Sequence, residues 1–292
     1  MNANFDEHLR VASPPRRSAR RPVRAAVTRS AGDLADPAEM IPVPEYGRVF
    51  ELPMRAGLGE CSPSGRLRLD ALARWLQDVA YWDIDDAGLA QEGRWVLRKT
   101  RIRVDRFPRF GEQVRVRGFC SGLGRVWVER RTTITLAVGP GIATDGLPSG
   151  GVAGDVEAVA VWVHLDPDTC GLAPFGPSEL AFFRANAIDR RVSARRTHPP
   201  PDEAARSSAW TFRAIDCDIA HHVNNCSYLQ ALEEEMLASA EPETIDVEIE
   251  FRAPSQPGRM WFLSNGRQRW ITTSNGKVRA SMLLHELHPQ QP

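Results

Sequence analysis

The chain repeats one order of secondary-structure signals about 150 residues apart, and this repeat limits the folds that it can adopt. In the first half, residues 48–55 read as a strand. Residues 67–80 then place apolar side chains every three or four positions, which predicts an amphipathic helix. Residues 95–104 alternate as a strand and end at a turn over 108–111. The same order returns in the second half, so we predict two copies of one fold.

The other predicted elements complete the two halves. In the first half we predict strands at 114–120, 126–138 and 156–165, an exposed Gly- and Pro-rich hairpin loop at 139–154, and an irregular connector at 169–201 with a short helix at 178–185. In the second half we predict a helix at 228–237, a turn at 254–258, and strands at 210–215, 245–251, 260–266, 268–273 and 278–286.

Composition excludes several classes of protein. The 292 residues have room for two domains of about 100–150 residues. The formal net charge of zero argues against general attraction to nucleic acid or anionic membranes. No apolar run reaches the roughly 20 residues that a membrane-spanning helix needs. Five cysteines, an odd number without paired spacing, indicate a reduced, cytoplasmic setting.

The first 40 residues are rich in Arg, Ala, Ser and Pro and have no apolar periodicity, so we predict a disordered leader over 1–40. A transit peptide is the alternative, since such peptides are rich in Arg and poor in acids. The acidic residues Asp6, Glu7, Asp33 and Asp36 argue against it and favour a solvated tail or an over-long start.

One short segment concentrates polar chemistry directly before the second predicted helix. Residues 216–228 hold two carboxylates, two imidazoles and two carboxamides, among them Asp218, His222, Asn224 and Asn225. A carboxylate can attack a carbonyl or activate water, and an imidazole or amide can orient the reactants. Free N–H groups at a helix start can stabilise an oxyanion. The segment therefore favours chemistry on a carbonyl group.

This segment resembles the active-site motif of the acyl-acyl-carrier-protein thioesterases of plants and bacteria, a hotdog-fold family. The resemblance covers most of residues 46–287 and also rests on Trp95–Arg98, Arg103–Glu112, Gly124–Trp127 and Glu250–Pro254. It implies an α+β tandem hotdog, in which two antiparallel sheets each wrap around a long central helix. Residues 46–168 would form a non-catalytic hotdog that shapes the acyl channel. Residues 169–204 would form a linker, and residues 205–287 the catalytic hotdog.

The resemblance also assigns residue roles. Asp218 matches the carboxylate that acts as nucleophile or general base, and His222 matches a histidine that polarises the thioester or assists proton transfer. Asn224 and Asn225 match the paired asparagines of the catalytic motif, and the N–H groups of 223–225 are expected to hold the oxyanion.

Three further residues are expected to contact the substrate, namely Val223, Tyr228 and Glu234. Glu234 is also expected to hydrogen-bond to an Asn or His of the motif.

The chain departs from the plant pattern at three positions. Ala220 stands where the plant enzymes have an Asn, and Pro254 and Ser255 stand where they have Glu and Cys. A Cys–His mechanism therefore has no support here. Cys217 and Cys226 are explained as small buried hydrophobes as well as they are as nucleophiles.

Several polar residues near the motif have structural explanations. We interpret Asp216 as a turn residue, His221 as structural or exposed, and Asn225 as either a helix cap or a functional residue. We expect Glu233 and Glu235 to lie on a solvated helix face. The spacing of His285 and His288 is weak evidence for a metal, so we predict none.

Positive charge on one predicted strand has two explanations. Arg98, Lys99, Arg101 and Arg103 occupy neighbouring positions and would either dock an acidic carrier protein or form a solvated strand face.

These observations lead to one prediction of function. We predict hydrolysis of fatty acyl-acyl-carrier-protein thioesters with release of free fatty acid in fatty acid biosynthesis, without cofactor or metal, and with acyl carrier protein as the partner. The alternatives are an acyl-CoA thioesterase of the same fold and a non-catalytic acyl-binding protein. Acyl chain length and a homo-oligomeric state stay open.

Overall fold

Ten strands and three helices form the part of the chain that the computed structural model describes, which is residues 40–90, 94–136, 155–166, 168–185, 187, 190, 192–239 and 241–286. The strands are β1 (Phe50–Arg55), β2 (Arg94–Val104), β3 (Gln113–Leu123), β4 (Trp127–Leu136), β5 (Val156–Leu165), β6 (Arg206–Phe212), β7 (Ile245–Phe251), β8 (Gly258–Asn265), β9 (Gln268–Thr272) and β10 (Val278–Leu284). The helices are α1 (Leu69–Asp86), α2 (Pro177–Arg184) and α3 (Tyr228–Ser239). The predicted leader, apart from Met40, and the predicted loop at 139–154 lie outside the described residues.

All ten strands belong to one antiparallel sheet in the order β1-β3-β4-β5-β2-β7-β10-β9-β8-β6. The two halves of the chain meet at β2 and β7, where Thr100 lies opposite Ile249. Each half places its first strand at an outer edge and its second strand at the centre, with the other three in the same order between them. The predicted α+β class is confirmed, and the two antiparallel sheets expected from the resemblance are joined into one continuous sheet, because β2 pairs with β7.

Helices α1 and α3 pack against the same face of this sheet. The apolar positions predicted for α1 are buried, among them Leu72, Leu76 and Val79, and they share one core with Ile102 and Ile249 of the central strands. Helix α1 extends beyond the predicted end at residue 80. Its last turn carries Asp83, which pairs with Arg48 and Arg130, and these long-range pairs are not visible as local helix signals.

The first strand of the second half was predicted out of position. Strand β6 occupies Arg206–Phe212 rather than 210–215, and Ala214–Asp216 forms a 3₁₀ turn. The turn forms because Asp216 Oδ2 accepts the N–H of Arg213 at 2.6 Å. Polar, exposed residues fill most of β6, which lies at the sheet edge, so it lacks the apolar alternation of a half-buried strand.

The connector between the halves covers the face of the sheet opposite α1 and α3. Glu250 of β7 accepts the N–H groups of Thr197 and His198. The His198 ring lies 3.2 Å from Glu248 Oε1 and 3.1 Å from Ser281 Oγ. Strand β7 is therefore buried on both faces, including its acidic one.

The basic residues predicted on one strand face are largely engaged in contacts within the protein. Lys99 is buried and lies 3.8 Å from Glu248 Oε1. Arg101 makes two 2.8 Å bonds to the carboxylate of Asp246. Burial, together with nearby Arg196 and Arg252, lowers the pKa of Arg98 despite Glu250. These cations join β2 to β7 and its surroundings inside the sheet.

Candidate active site

The polar segment before α3 folds as a closed loop. Asp216 is buried, and its backbone carbonyl accepts the N–H of Asn224 at 2.8 Å and the hydroxyl of Ser227 at 3.2 Å. The carboxylate of Asp216 also caps the turn that begins at Arg213. Asp216 therefore has a structural role, in line with its interpretation from the sequence as a turn residue.

A tight turn carries Asp218 to the solvent-facing side of this loop. The N–H of His221 donates to the carbonyl of Asp218, and the N–H of Asp218 donates to the carbonyl of His222, each at 3.0 Å. His221 has a φ of 58°, in the left-handed region that few non-glycine residues adopt. Its side chain is exposed, so it shapes the turn.

Both oxygens of Asp218 accept hydrogen bonds from the loop itself. Oδ1 accepts the N–H of Ala220 at 2.9 Å, and Oδ2 accepts the side-chain amide of Asn224 at 3.1 Å. The Asp218 side chain is 27% exposed. The carboxylate is therefore held in one orientation while it stays open to water and substrate.

Asn224 connects Asp218 to the start of α3. Its Oδ1 accepts the N–H of Cys226 at 2.8 Å, so Asn224 is the helix-capping residue and Asn225 is not. Both ends of the Asn224 carboxamide are therefore engaged within the loop.

His222 lies beside Asp218 but is not hydrogen-bonded to it. Its Nδ1 lies 3.1 Å from the carbonyl of Val223 and 3.8 Å from Asp218 Oδ1. A carbonyl only accepts, so Nδ1 carries the proton, and in the neutral ring Nε2 is an acceptor that can take up a proton.

Two of the three N–H groups expected to hold an oxyanion are already used. The N–H of Val223 donates to Ser255 at 2.9 Å, and that of Asn224 donates to Asp216. Within the described ranges, the N–H of Asn225 has no hydrogen-bond partner. Of these three N–H groups, only that of Asn225 is left without a partner among the described residues.

Asn225 also borders a small internal cavity between α1, α3 and the central strands. The cavity measures about 30 Å³ and is largely apolar. Its wall includes Leu76, Gln77, Cys226 and Leu229. This volume accommodates one or two waters, so an acyl chain enters only if the lining side chains move.

The three predicted substrate contacts do not line this cavity. Val223 and Tyr228 are buried in the core, where the Tyr228 ring packs against Phe212 and Phe251. Burial raises the pKa of Tyr228. Glu234 is exposed, borders an open groove beside β6, and makes no hydrogen bond to Asn224 or His222 among the described residues.

The glutamate before it was wrongly expected on a solvated face. Glu233 is buried, and its carboxylate pairs with the buried Arg66 at 3.0 Å and accepts the N–H of Leu69, the first residue of α1, at 3.0 Å. Glu235 pairs with Arg269 at 2.6 Å. The spacing of Glu233 along α3 does not reveal that Arg66, from the other half of the chain, covers its carboxylate.

The first half contains a counterpart of the active-site loop. The bridge between Cys61 and Leu67 repeats that between Cys217 and Val223. At one constant sequence separation, Ser62 replaces Asp218, Arg66 replaces His222, and Leu69 replaces Asn225. This loop has the same backbone bonds, with Ser62 N–H donating to Arg66 O and Gly65 N–H to Ser62 O, but without the chemical groups.

Neither thiol of the loop is suited to act as a nucleophile. Burial raises the pKa of Cys226, and its thiol donates to Gln77 Oε1 at 2.8 Å. Cys217 is half-buried in the bridge to Val223.

One group of side chains in the described part of the chain has the spacing of metal ligands, namely His198, Glu248 and Glu250. No sequence pattern predicts this group, because its three members come from the connector and β7. Their polar atoms already bind Lys99, Ser281 and backbone N–H groups. His285 is not in this group, and His288 lies outside the described residues.

No helix of the described chain is long and apolar enough to cross a membrane.

Sequence comparison identifies relatives of this chain among known proteins. An uncharacterised protein of Mycobacterium tuberculosis is 23% identical over 218 residues, which is 74% of this chain and 81% of that protein. The chloroplastic acyl-(acyl-carrier-protein) hydrolase FATB2 of Cuphea viscosissima is 23% identical over 235 residues. The match covers 74% of this chain and 53% of the plant protein, so this chain spans about half the length of that relative.

Solved structures show the same fold. An acyl-ACP thioesterase from Bacteroides thetaiotaomicron superposes with a TM-score of 0.63 at 18% identity, covering 81% of this chain and 96% of that one. The 12:0-ACP thioesterase from Umbellularia californica gives the same four values.

Family models match both halves. The model of the acyl-ACP thioesterase N-terminal domain matches residues 47–144, and that of the C-terminal domain matches residues 200–274. Together they cover more than half of the chain, which therefore belongs to the acyl-ACP thioesterase family, a family of thioester hydrolases.

Proposed function

We propose that this protein hydrolyses fatty acyl thioesters of acyl carrier protein and releases the free fatty acid. The observation that carries the proposal is the bond from Asn224 to Asp218, which fixes a partly exposed carboxylate next to a helix start with a free N–H at Asn225. Family membership and the carrier-protein hydrolase activity named for the Cuphea relative support the choice of carrier. A cytoplasmic location follows only from the cysteine pattern and stays an expectation.

The proposed architecture is a tandem hotdog. The identical strand order of the two halves and the placement of α1 and α3 on one face support it. In this proposal residues 46–168 form the non-catalytic hotdog, 169–204 the linker and 205–287 the catalytic hotdog. The acyl chain would extend from Asn225 into the space beside Leu76 and Leu229.

The reaction needs one carboxylate and one proton carrier. Asp218 either attacks the carbonyl carbon or takes a proton from the water that attacks it. Electrons move to the carbonyl oxygen, which accepts the N–H of Asn225. When the tetrahedral intermediate collapses, the carbon–sulfur bond breaks. In the water route, the proton that Asp218 took from the water passes through His222 Nε2 to the leaving thiolate. In the nucleophilic route, the collapse leaves an acyl anhydride on Asp218; water then hydrolyses this anhydride to the fatty acid and the free carboxylate, and the proton released from the water passes through His222 Nε2 to the thiolate.

The test is thiol release by the purified protein from matched panels of acyl-carrier-protein and acyl-CoA thioesters. We expect faster turnover of the carrier-protein panel. Asp218→Asn should abolish turnover without changing the unfolding midpoint, and His222→Ala should lower it about 10²–10⁴-fold. Asp202→Asn is the matched control, because this exposed carboxylate accepts a hydrogen bond from Asn265 at the end of β8, and it should leave the rate unchanged.

Other outcomes assign the protein differently. Faster turnover of the CoA panel would make the protein an acyl-CoA thioesterase. Tight binding of thioesters without turnover, unaffected by Asp218→Asn, would make it an acyl-binding protein.

A further inference from the structure

Gln77 is a polar residue on an otherwise apolar stripe of α1. Ala73, Leu76, Gln77 and Ala80 lie at helical spacing and line the cavity that Asn225 borders. Gln77 is half-buried. A long polar side chain that faces an apolar cavity loses hydration and needs a partner, so its position calls for an explanation.

One end of this carboxamide is fixed and the other is free. Gln77 Oε1 accepts the thiol proton of Cys226 at 2.8 Å. The Gln77 NH₂ group has no hydrogen-bond partner within the described residues. Since Cys226 follows Asn225 directly, the free amide donor and the free N–H of Asn225 lie at the same end of α3.

In the second half of the internal repeat, a different type of residue occupies the position equivalent to Gln77. Glu233 of α3 stands at the position equivalent to Gln77 of α1, at the same separation that relates Leu69 to Asn225. The Glu233 carboxylate accepts the N–H of Leu69 at 3.0 Å and thereby fills the helix start. Arg66, with Glu233 and Glu241, occupies the rest of that site.

The two helix starts therefore differ, among other residues, in the side chain that reaches each of them from the helix of the other half, which is Glu233 at α1 and Gln77 at α3. A carboxylate only accepts hydrogen bonds, so it binds the N–H of α1 and leaves no donor. A carboxamide held through its oxygen presents N–H donors instead. The start of α3 thus combines two unused donors beside an apolar space.

We propose that Gln77 is a catalytic residue that donates from its side-chain amide to the thioester carbonyl oxygen, together with the N–H of Asn225. This inference rests on the proposed thioester chemistry at the same loop. As water or Asp218 bonds to the carbonyl carbon, the electron pair of the C=O bond moves to the oxygen between these donors. The non-catalytic half thus contributes to the reaction through α1.

The first experiment compares Gln77→Met with wild type in thioester hydrolysis. Met preserves side-chain length and removes the donor, so we expect kcat to fall about 10²–10³-fold, the effect of removing one oxyanion donor. KM should change by less than about threefold, because the contact strengthens in the transition state. Gln77→Glu should lose at least as much, since its carboxylate would bind the N–H of Asn225 as Glu233 binds that of Leu69.

A matched control makes the same chemical change elsewhere. Gln230 of α3 borders the groove beside β6, and Gln230→Met should leave kcat and the unfolding midpoint unchanged. A loss of rate equal to that of Gln77→Met would show that the effect is not specific to this position.

A spectroscopic readout separates this inference from the proposed function. Dodecanoyl-pantetheine labelled with ¹³C at the carbonyl is bound to the Asp218→Asn protein, and its carbonyl stretch is measured by difference infrared spectroscopy. We expect a shift to lower frequency that Gln77→Met partly reverses, whether or not the wild type turns the thioester over. No shift on binding, or a shift indifferent to Gln77→Met, would overturn the role of Gln77. Failure of wild-type turnover with this shift present would overturn only the hydrolase function.

Discussion

At the scale of single residues, the Asn224 side chain makes one hydrogen bond expected to affect stability and another expected to affect catalysis. Its oxygen caps α3 and its NH₂ group holds Asp218. Asn224→Ser keeps a good capping side chain but is too short to reach Asp218. We expect the free energy of unfolding to stay within about 0.5 kcal/mol of wild type, while kcat falls about tenfold or more because the carboxylate loses its orientation. Denaturant unfolding and steady-state kinetics measure the two effects.

Unchanged turnover in Asn224→Ser would remove the positioning role of this bond. Asn224→Ala is the companion variant, since it loses both contacts and should cost about 1 kcal/mol of stability as well as activity. A drop in activity that only follows the drop in stability across the two variants would make Asn224 purely structural.

The sequence predicted the residues of the loop better than their contacts. Asp218 and His222 lie close together, as expected from their spacing. The loop also repeats the backbone geometry of its first-half counterpart, where Gly65, at the position equivalent to His221, has a left-handed φ as well. The capping residue is Asn224 and not Asn225, for which a cap was one of two expectations, because either carboxamide satisfies the preferences of a helix cap. Only the backbone hydrogen bonds distinguish them.

At the scale of elements, local sequence patterns were sufficient to predict where some strands begin and end. Strand β5 and strand β7 have the predicted bounds. Glu233 of α3 was expected in solvent, but Arg66, a partner distant in sequence, covers it, and the acidic residues of β7 are buried as well. An alternating strand or an amphipathic helix indicates which face is apolar. It does not indicate whether the polar face is later buried by ion pairs.

Glu233 offers a test of such burial between α3 and α1. Burial raises the pKa of Glu233, although the N–H of Leu69 and the guanidinium of Arg66 favour its charged form. Arg66→Met leaves this carboxylate without its cation inside the protein and should destabilise it by about 3–5 kcal/mol. Denaturant unfolding at neutral pH measures the loss.

The double variant Arg66→Met, Glu233→Gln removes both charges together. It should recover most of the lost stability, because a buried pair can often be replaced by neutral groups at little cost. If the double variant were as unstable as the single one, the packing of Arg66 on Phe107 rather than the ion pair would hold the helices together.

At the scale of the whole molecule, the buried charges where β2 pairs with β7 make the free energy of unfolding depend on pH. Burial acts to raise the pKa of Glu248, but the hydrogen bond from His198 and the charge of Lys99 outweigh it and lower the pKa below the ordinary value of 4.5. The folded protein therefore binds fewer protons at this site than the unfolded chain. The stabilisation is fully present above about pH 4.5 and is lost as pH falls through the folded pKa.

Comparison of wild type with Glu248→Gln isolates this contribution, since glutamine does not titrate. The difference in their free energies of unfolding should be constant near neutrality and shrink below about pH 4.5. Glu129 provides a control of opposite sign, because burial raises its pKa despite Arg190, so wild type should gain stability over Glu129→Gln as pH falls. If the stability differences of the two variants from wild type changed with pH in the same direction, the acid-sensitive contact would lie at another place in the sheet. Opposite slopes would place the acid-sensitive contact at Glu248, on the strand where the two halves of the molecule meet.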